Sequence, residues 1–233
     1  MTDKSKILQS LKGKLIVSCQ AQPGEPLCVR GYMAKMALAA KIGGASGIRA
    51  ESIRDIEDIR KEVGLPIVGL WKVMTEGCNV YITPTIEEAR AVYNAGAEII
   101  AIDATNRKNR EGFYAWELIK KIKADMPQAL VMADISTIEE GINAEKQGAD
   151  IVSTTLSGYT EETRHIKGID FELISALVKS VKIPVVAEGR IHRPEDAAKA
   201  LDLGAHSVVV GGAITRPAQI TSEYVKAVNN ISK

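Results

Sequence analysis

The chain has 233 residues, of which 45% are hydrophobic, so it can bury a substantial core as one large domain or two small ones. Its 30 basic and 29 acidic residues are scattered, which excludes the electrostatic signature of a nucleic-acid or membrane-surface binder. No stretch approaches the roughly 20 apolar residues of a membrane span, and the first residues lack the order of a secretory signal. The three cysteines are widely spaced, so we expect a cytoplasmic protein without a disulfide scaffold.

In chain order, short apolar runs rich in Val and Ile alternate with amphipathic helical stretches, which is typical of repeated βα units and a parallel sheet. The predicted strands are 14–20, 45–50, 66–72, 98–104, 129–136, 150–155, 184–189 and 207–212. The helical stretches, with apolar residues at three- and four-residue spacing, include 52–63, 85–95, 137–147, 170–181 and 194–203.

Eight βα units in 233 residues predict a single (β/α)₈ TIM barrel over residues 1–233, since this fold typically needs roughly 250 residues. A doubly wound open sheet is the alternative. That fold normally has about six strands and a glycine-rich first turn, whereas the first turn here, "CQAQPGEP", has no GxGxxG fingerprint. No linker-like stretch divides the chain, so we assign one domain.

Polar side chains occur where the predicted strands end, which is the end that carries the chemistry in TIM barrels. Lys72 and Glu188 directly follow apolar runs, and buried charges are tolerated mainly when they are paired or functional. A structural Lys–Glu pair is therefore the alternative to a catalytic one. For Asp103 and Ser153, a structural role as the N-cap of the next helix explains the residue as well as a role in the site does. The side chains expected to converge around one mouth are Gln20, Arg49, Lys72, Asp103, Asp134, Ser153, Thr154 and Glu188.

Two glycine-bearing loops follow the last two predicted strands, "EGRIHRPEDAA" and "GGAITRPAQ". In phosphate-binding barrels these loops form a cradle of backbone N–H groups. Gly189, Gly211 and Gly212 would let the backbone approach a phosphate, and Arg190 or Arg216 could add a charge-assisted contact. We therefore predict a phosphorylated small molecule, without a metal or redox cofactor. The accessible chemistry is proton transfer next to a carbonyl, which indicates an isomerase or epimerase.

The motifs "CQA", "SGIRA", "ADIST", "TTLSGYT" and "AEGRI", in this order, resemble those of the N-acetylmannosamine-6-phosphate 2-epimerases over nearly the whole chain. The resemblance implies a barrel enzyme that interconverts N-acetylmannosamine 6-phosphate and N-acetylglucosamine 6-phosphate in sialic acid and amino-sugar breakdown, commonly as a dimer. Where that family usually has "IKR" after its third strand, this chain has "WKV", so Val73 replaces the arginine and receives no role.

By this similarity, Lys72 and Glu188 are the acid–base pair at C2 of the sugar. Gln20, Arg49, Asp134 and Arg216 hold the sugar and the phosphate. Inverting C2 requires a proton to leave one face and return on the other, so an acid–base group on each face is the simplest solution. A final helix from about 218 to 231 could pack on its own barrel or on that of a partner.

Three other functions remain alternatives. Lys72 could form a Schiff base, as in barrel lyases and aldolases. A metal-dependent pentose-phosphate epimerase fits worse, because His165, His192 and His206 have no ligand spacing. From a different class, the protein could be a phosphosugar sensor that has kept the barrel and lost its chemistry.

Overall fold

A computed structural model describes residues 4–231. Eight parallel strands form a closed barrel in which each strand pairs with its sequence neighbours and β8 pairs with β1. The strands are β1 Lys14–Cys19, β2 Gly47–Glu51, β3 Ile67–Leu70, β4 Ile99–Asp103, β5 Leu130–Asp134, β6 Ile151–Ser153, β7 Val185–Glu188 and β8 Ser207–Val210. The helices are α1 Lys4–Leu11, α2 Tyr32–Ile42, α3 Ile53–Glu62, α4 Ile86–Asn94, α5 Ala115–Asp125, α6 Ile138–Lys146, α7 Phe171–Ser180, α8 Pro194–Asp202, α9 Gly212–Thr215 and α10 Pro217–Ile231.

The predicted TIM barrel is confirmed, and an open doubly wound sheet is wrong because β1 and β8 close the ring. Each predicted strand overlaps an observed one, and the five predicted helices match α3, α4, α6, α7 and α8. The predicted domain, 1–233, includes residues 1–3, 232 and 233, which lie outside the described residues.

Apolar side chains from every strand except β2 fill the inside of the barrel, among them the fully buried Ile16, Ile99 and Met132. The amino-terminal end of the barrel, called the floor below, is covered by α1, whose Ile7 and Leu11 join this inner cluster. Because the floor is closed by apolar packing, the opposite end is where an internal cavity can open to solvent.

The carboxyl-terminal end of the barrel, called the mouth below, is formed by the loops after the strands. The loop after β3 folds back on itself, with an antiparallel bridge between Lys72 and Ile82. β6 is only three residues long and runs into a 3₁₀ turn over Thr154–Leu156. Within residues 4–231 there is no helix with the length and apolar character needed to cross a membrane.

Candidate active site

A cavity of about 520 Å³ opens at the mouth of the barrel. Among the residues given a catalytic or substrate-binding role above, all line it except Asp134, which is fully buried beside it. The residues from the prediction that line the cavity are Gln20, Arg49, Lys72, Glu188, Gly189, Arg190, Gly211, Gly212 and Arg216. Their strands are distributed around the ring, so the closure of the barrel brings them together.

One guanidinium contacts two carboxylates at the base of this cavity. Arg49, near the end of β2, donates to both carboxylate oxygens of Asp134, at 3.1 Å from Nη1 and 2.5 Å from Nη2. Its Nη1 also lies 2.9 Å from Oε2 of Glu188. The side chains of Arg49 and Asp134 are 1% and 0% exposed and that of Glu188 is 13% exposed, so solvent screens this cluster little.

Lys72 enters the cavity from the other side of the ring, since β3 and β7 are four strands apart. Its Nζ donates to Oε1 of Gln20 at 2.9 Å, and Gln20 in turn donates from Nε2 to the hydroxyl of Ser18 at 2.9 Å. The backbone N–H of Lys72 donates to Oε1 of Glu51 at 3.3 Å. Hydrogen bonds from its backbone N–H and from its amine therefore fix the position of Lys72.

Burial shifts the pKa values of the two candidate acid–base groups toward each other. Desolvation lowers the pKa of Lys72, and the nearby charges of Arg49 and Arg216 lower it further, while Glu51 opposes the shift. Desolvation raises the pKa of Glu188 to about 7; Arg49 opposes this shift and Asp134 adds to it. A lysine that loses its proton more easily and a carboxyl that keeps its proton longer are both better suited to proton transfer than the same groups in water.

The remaining member of the cluster stays charged. Burial disfavours the charge of Arg49, but Asp134 and Glu188 outweigh burial and hold the pKa of the guanidinium above its ordinary value. Arg49 is therefore a permanent cation between two acids, and it can stabilise negative charge that develops on a bound molecule.

The loops after β7 and β8 border the cavity as predicted, but their arginines already have partners. Gly189 has φ of +111°, a conformation that L side chains rarely adopt. The guanidinium of Arg190 donates to the carbonyl oxygens of Ser157 and Gly158, at 2.8 and 2.9 Å, and so holds the loop after β6. Arg216 pairs with Glu25 at 3.2 Å and is partly exposed.

Of the other polar residues expected at the mouth, Asp103 takes no part in the cavity. It accepts bonds from Thr105 and Arg107 within its own loop. Ser153 lies 3.5 Å from Glu188 through its hydroxyl, and the hydroxyl of Thr154 bonds to the backbone of Glu188. Asp103 was thus expected at the shared site and is instead a local structural residue.

Three residues of the site were missed by the sequence reasoning. Thr155 bonds to both Asp134 and Glu188, Glu51 contacts Lys72, and Tyr81 lines the cavity. Two of them carried a usable signal, because side chains two residues apart in an extended strand share a face. Glu51 is two residues after Arg49 and Thr155 is two residues after Ser153. Tyr81 belongs to the loop after β3 and had no such signal.

Burial raises the pKa of the Cys19 thiol to about 12, so this thiol is not prepared to act as a nucleophile. Within the described residues 4–231, no group of three or more His, Cys, Asp or Glu side chains has an arrangement that could hold a metal ion.

A TIM barrel whose mouth combines a buried Lys, two carboxylates and an Arg defines a class of barrel enzyme that acts on a small polar molecule. Over residues 33–230 the chain matches the family described as "Putative N-acetylmannosamine-6-phosphate epimerase". The chain belongs to this family.

Similar proteins agree with that membership. Two proteins that carry the name "Putative N-acetylmannosamine-6-phosphate 2-epimerase", one from Caldanaerobacter subterraneus subsp. tengcongensis and one from Clostridium perfringens, are 56% and 52% identical to this chain. Both alignments cover 94% of this chain, and they cover 92% and 98% of those relatives. The solved structure of the Clostridium perfringens enzyme has a TM-score of 0.93, at 50% identity, over 97% of this chain and 98% of that one. A thiamine phosphate pyrophosphorylase from Pyrococcus furiosus, with 22% identity and a TM-score of 0.60 over 91% of this chain and 94% of that one, shares the fold.

Proposed function

We propose that this protein interconverts N-acetylmannosamine 6-phosphate and N-acetylglucosamine 6-phosphate by removing and returning the proton at C2. The observation that carries the proposal is the pair Lys72 and Glu188. They enter one cavity from strands four apart in the ring, and burial lowers the pKa of the lysine and raises that of the carboxyl. Two acid–base groups on opposite sides of a bound sugar are what inversion at one carbon requires.

The reaction runs through the open-chain 2-acetamido aldehyde. The aldehyde at C1 makes the C2 proton acidic, and Lys72 exchanges a proton with one face of that carbon. Glu188 serves the opposite face or handles the ring-opening proton. Arg49 lies 2.9 Å from Glu188 and can steady the negative charge of the enolate. The oxidation state of the sugar is unchanged, so the proton transfers need no redox cofactor, and we propose that the enzyme works without a cofactor.

The phosphate is proposed to bind between the loops after β7 and β8. Gly189, Gly211 and Gly212 line this side of the cavity, and Arg216 can exchange its contact with Glu25 for the phosphate. Arg190 borders the same side while its guanidinium holds the loop after β6. Gln20 and Asp134 support the sugar end through Lys72 and Arg49.

The test is proton NMR of the purified protein with N-acetylmannosamine 6-phosphate in D₂O. We expect the C2 proton signal to disappear as the gluco epimer accumulates, because the returning proton comes from solvent. Appearance of the epimer with its C2 proton fully retained would contradict exchange at C2. A protein that binds the sugar phosphate and changes neither signal would be a sensor rather than an epimerase.

We also propose that the protein works as a single-domain homodimer in the cytoplasm. α10 is exposed over nearly its whole length, with Tyr224, Val225 and Val228 exposed by 72%, 51% and 63%. These apolar side chains share one face of the helix, and we propose that a second copy of the chain packs against this face and buries it. Closure of the barrel by β1 and β8 supports one domain, and three unpaired cysteines fit a reducing compartment.

Sedimentation velocity tests the dimer. We expect the double substitution Tyr224→Asp with Val228→Asp to give monomers, and Lys226→Asp with Asn230→Asp, on the opposite face of α10, to leave dimers. A wild-type protein that sediments as a monomer at micromolar concentration would contradict the dimer.

A further inference from the structure

The hydroxyl of Thr155 lies between the two carboxylates of the site. Its Oγ1 is 2.7 Å from Oδ1 of Asp134 and 3.0 Å from Oε2 of Glu188. The third neighbour is the hydroxyl of Ser153, at 2.9 Å. All three contacts are within hydrogen-bonding distance, so the position of one proton decides how the group is bonded.

A threonine hydroxyl has one proton to donate and can accept through its lone pairs. If both carboxylates were ionised, Thr155 could donate to only one of them, and its oxygen would face the negative oxygen of the other. The contact to Asp134 is the shorter of the two, which assigns the donated proton to Asp134. Oε2 of Glu188 then needs a proton of its own to make a favourable contact with Thr155.

The charges around Asp134 and Glu188 also favour a proton on Glu188. Glu188 is faced by Arg49 from β2, Asp134 from β5, Ser153 and Thr155 from the end of β6, and more distantly by Lys72 after β3. One guanidinium balances one carboxylate, so a second ionised carboxylate would remain buried without a cation of its own. A proton on Glu188 removes that charge.

We propose that Thr155 is a positioning residue that keeps the proton of the Asp134–Glu188 pair on Glu188 by accepting from Glu188 and donating to Asp134. The chain of bonds runs from the Glu188 carboxyl proton to Oγ1 of Thr155, and from the Thr155 proton to Oδ1 of Asp134. Glu188 is then protonated and can act as the acid that gives its proton to the sugar. This role rests on the function proposed above.

The backbone supports this arrangement. The hydroxyl of Thr154 donates to the carbonyl oxygen of Glu188 at 2.9 Å and accepts from its N–H at 3.0 Å. The 3₁₀ turn over Thr154–Leu156 therefore holds the backbone of Glu188 with one residue and its side chain with the next. Position 155 can be changed while this backbone contact stays in place.

The test replaces Thr155 by Val, which keeps the shape and removes the hydroxyl, and by Ser, which keeps the hydroxyl. The readout is an infrared pH titration of the C=O stretching band of the protonated carboxyl, assigned to Glu188 by its loss in Glu188→Gln. In Thr155→Val the proton on Glu188 loses its acceptor and Asp134 loses its donor. We expect the midpoint of this band to fall by about one pH unit. Thr155→Ser is expected to titrate like the wild type.

The kinetics should follow the titration. A fall of about one unit from neutrality reduces the protonated fraction of Glu188 at pH 7 about five-fold, so kcat of Thr155→Val should fall by a similar factor. The deficit relative to the wild type should shrink as the pH is lowered, and Thr155→Ser should recover the rate. A deficit that does not change with pH would indicate a packing defect and overturn the proposal.

The direction of the midpoint shift separates the two ways of placing the proton. If Thr155 instead donates to an ionised Glu188, its removal raises the midpoint, and that result or an unchanged midpoint overturns the proposal. The infrared titration needs no turnover. A wild-type protein without epimerase activity would therefore remove the proposed function and still leave the position of the proton decided.

Discussion

The floor and the mouth of the barrel both carry buried or half-buried charges, but they pair them differently. At the floor, Glu98 pairs with Arg60 and also accepts from the backbone N–H of Ile67. Asp150 pairs with Lys123, with both contacts at 2.8 Å, and accepts from a backbone N–H of β5. At the mouth, Arg49 is shared by Asp134 and Glu188.

The two ends differ in the number of cations available to each carboxylate and in the access of solvent to the charges. Each floor carboxylate has its own cation, and these side chains are 19–31% exposed, so solvent screens the pairs and their main role is to fasten helices to the barrel. At the mouth, two carboxylates and one guanidinium are nearly dry. An ion cluster that fixes structure and one that can hold a movable proton are thus built from the same residue types at opposite ends of one barrel.

The largest expected effect distinguishes the two lysines. Lys72→Met should lower kcat by about 10²–10⁴-fold, because it removes a proton-transfer group, while leaving the phosphosugar bound. Lys123→Met, at the floor, should leave kcat near the wild-type value. NMR assays of the epimer and calorimetric binding of the phosphosugar measure the two quantities. Near-normal turnover in Lys72→Met would contradict the role of this lysine.

The loss of the free energy of unfolding should be larger for replacement of Arg49 at the mouth than for replacement of Arg60 at the floor. Arg49→Met leaves two buried carboxylates without a cation, which at pH 8 should cost about 3–5 kcal/mol of the free energy of unfolding. Arg60→Met removes a partly exposed ion pair and bonds to backbone carbonyls, and should cost about 1–2 kcal/mol. Urea denaturation measures both. Equal losses would show that the mouth cluster is no more dependent on its cation than the floor pair.

The smallest effect is the dependence of stability on pH. The pKa of Glu188 is raised from an ordinary 4.5 to about 7 in the folded protein. The resulting stabilisation is therefore complete below about pH 4.5, the pKa expected in the unfolded chain, and is lost as the pH rises through 7. Between pH 6 and 8 the wild type should lose about 1 kcal/mol from this group.

Glu188→Gln has no proton to lose, so this part of the slope should disappear. Glu98→Gln, at the floor, leaves Glu188 in place and should keep the wild-type slope. The measurement is urea denaturation of all three proteins at several pH values. A wild-type slope that survives in Glu188→Gln would mean that another group titrates in this range.

The fold was accessible from the sequence because its signals are local. Strands and helices follow from the spacing of apolar residues, and eight repeated units leave few architectures to choose from. The rule that chemistry lies at the carboxyl ends of barrel strands then selected Arg49, Lys72 and Glu188, which the structure brings to one cavity.

The same rule could not separate Asp103 from Asp134. The two residues are register partners on adjacent strands, and both end their strands. Asp134 pairs with Arg49 inside the barrel, whereas Asp103 accepts a hydrogen bond from Thr105 and pairs with Arg107, both in its own loop. A hydrogen-bond donor two residues away or a cation four residues away along the chain competes with a cation that only barrel closure brings near, and strand position alone does not tell which partner an aspartate contacts.

The sequence by itself determined the barrel, the order of its eight strands and the residue types at its mouth, because these depend on patterns within a few residues of each other. Only the tertiary structure decided that Arg49 would be shared by two carboxylates and that Thr155 would lie between them. These contacts join β2, β5, β6 and β7. The physical reason is that the position of a proton depends on differences of a few tenths of an ångström between atoms far apart in the chain, and closure of the ring sets those distances.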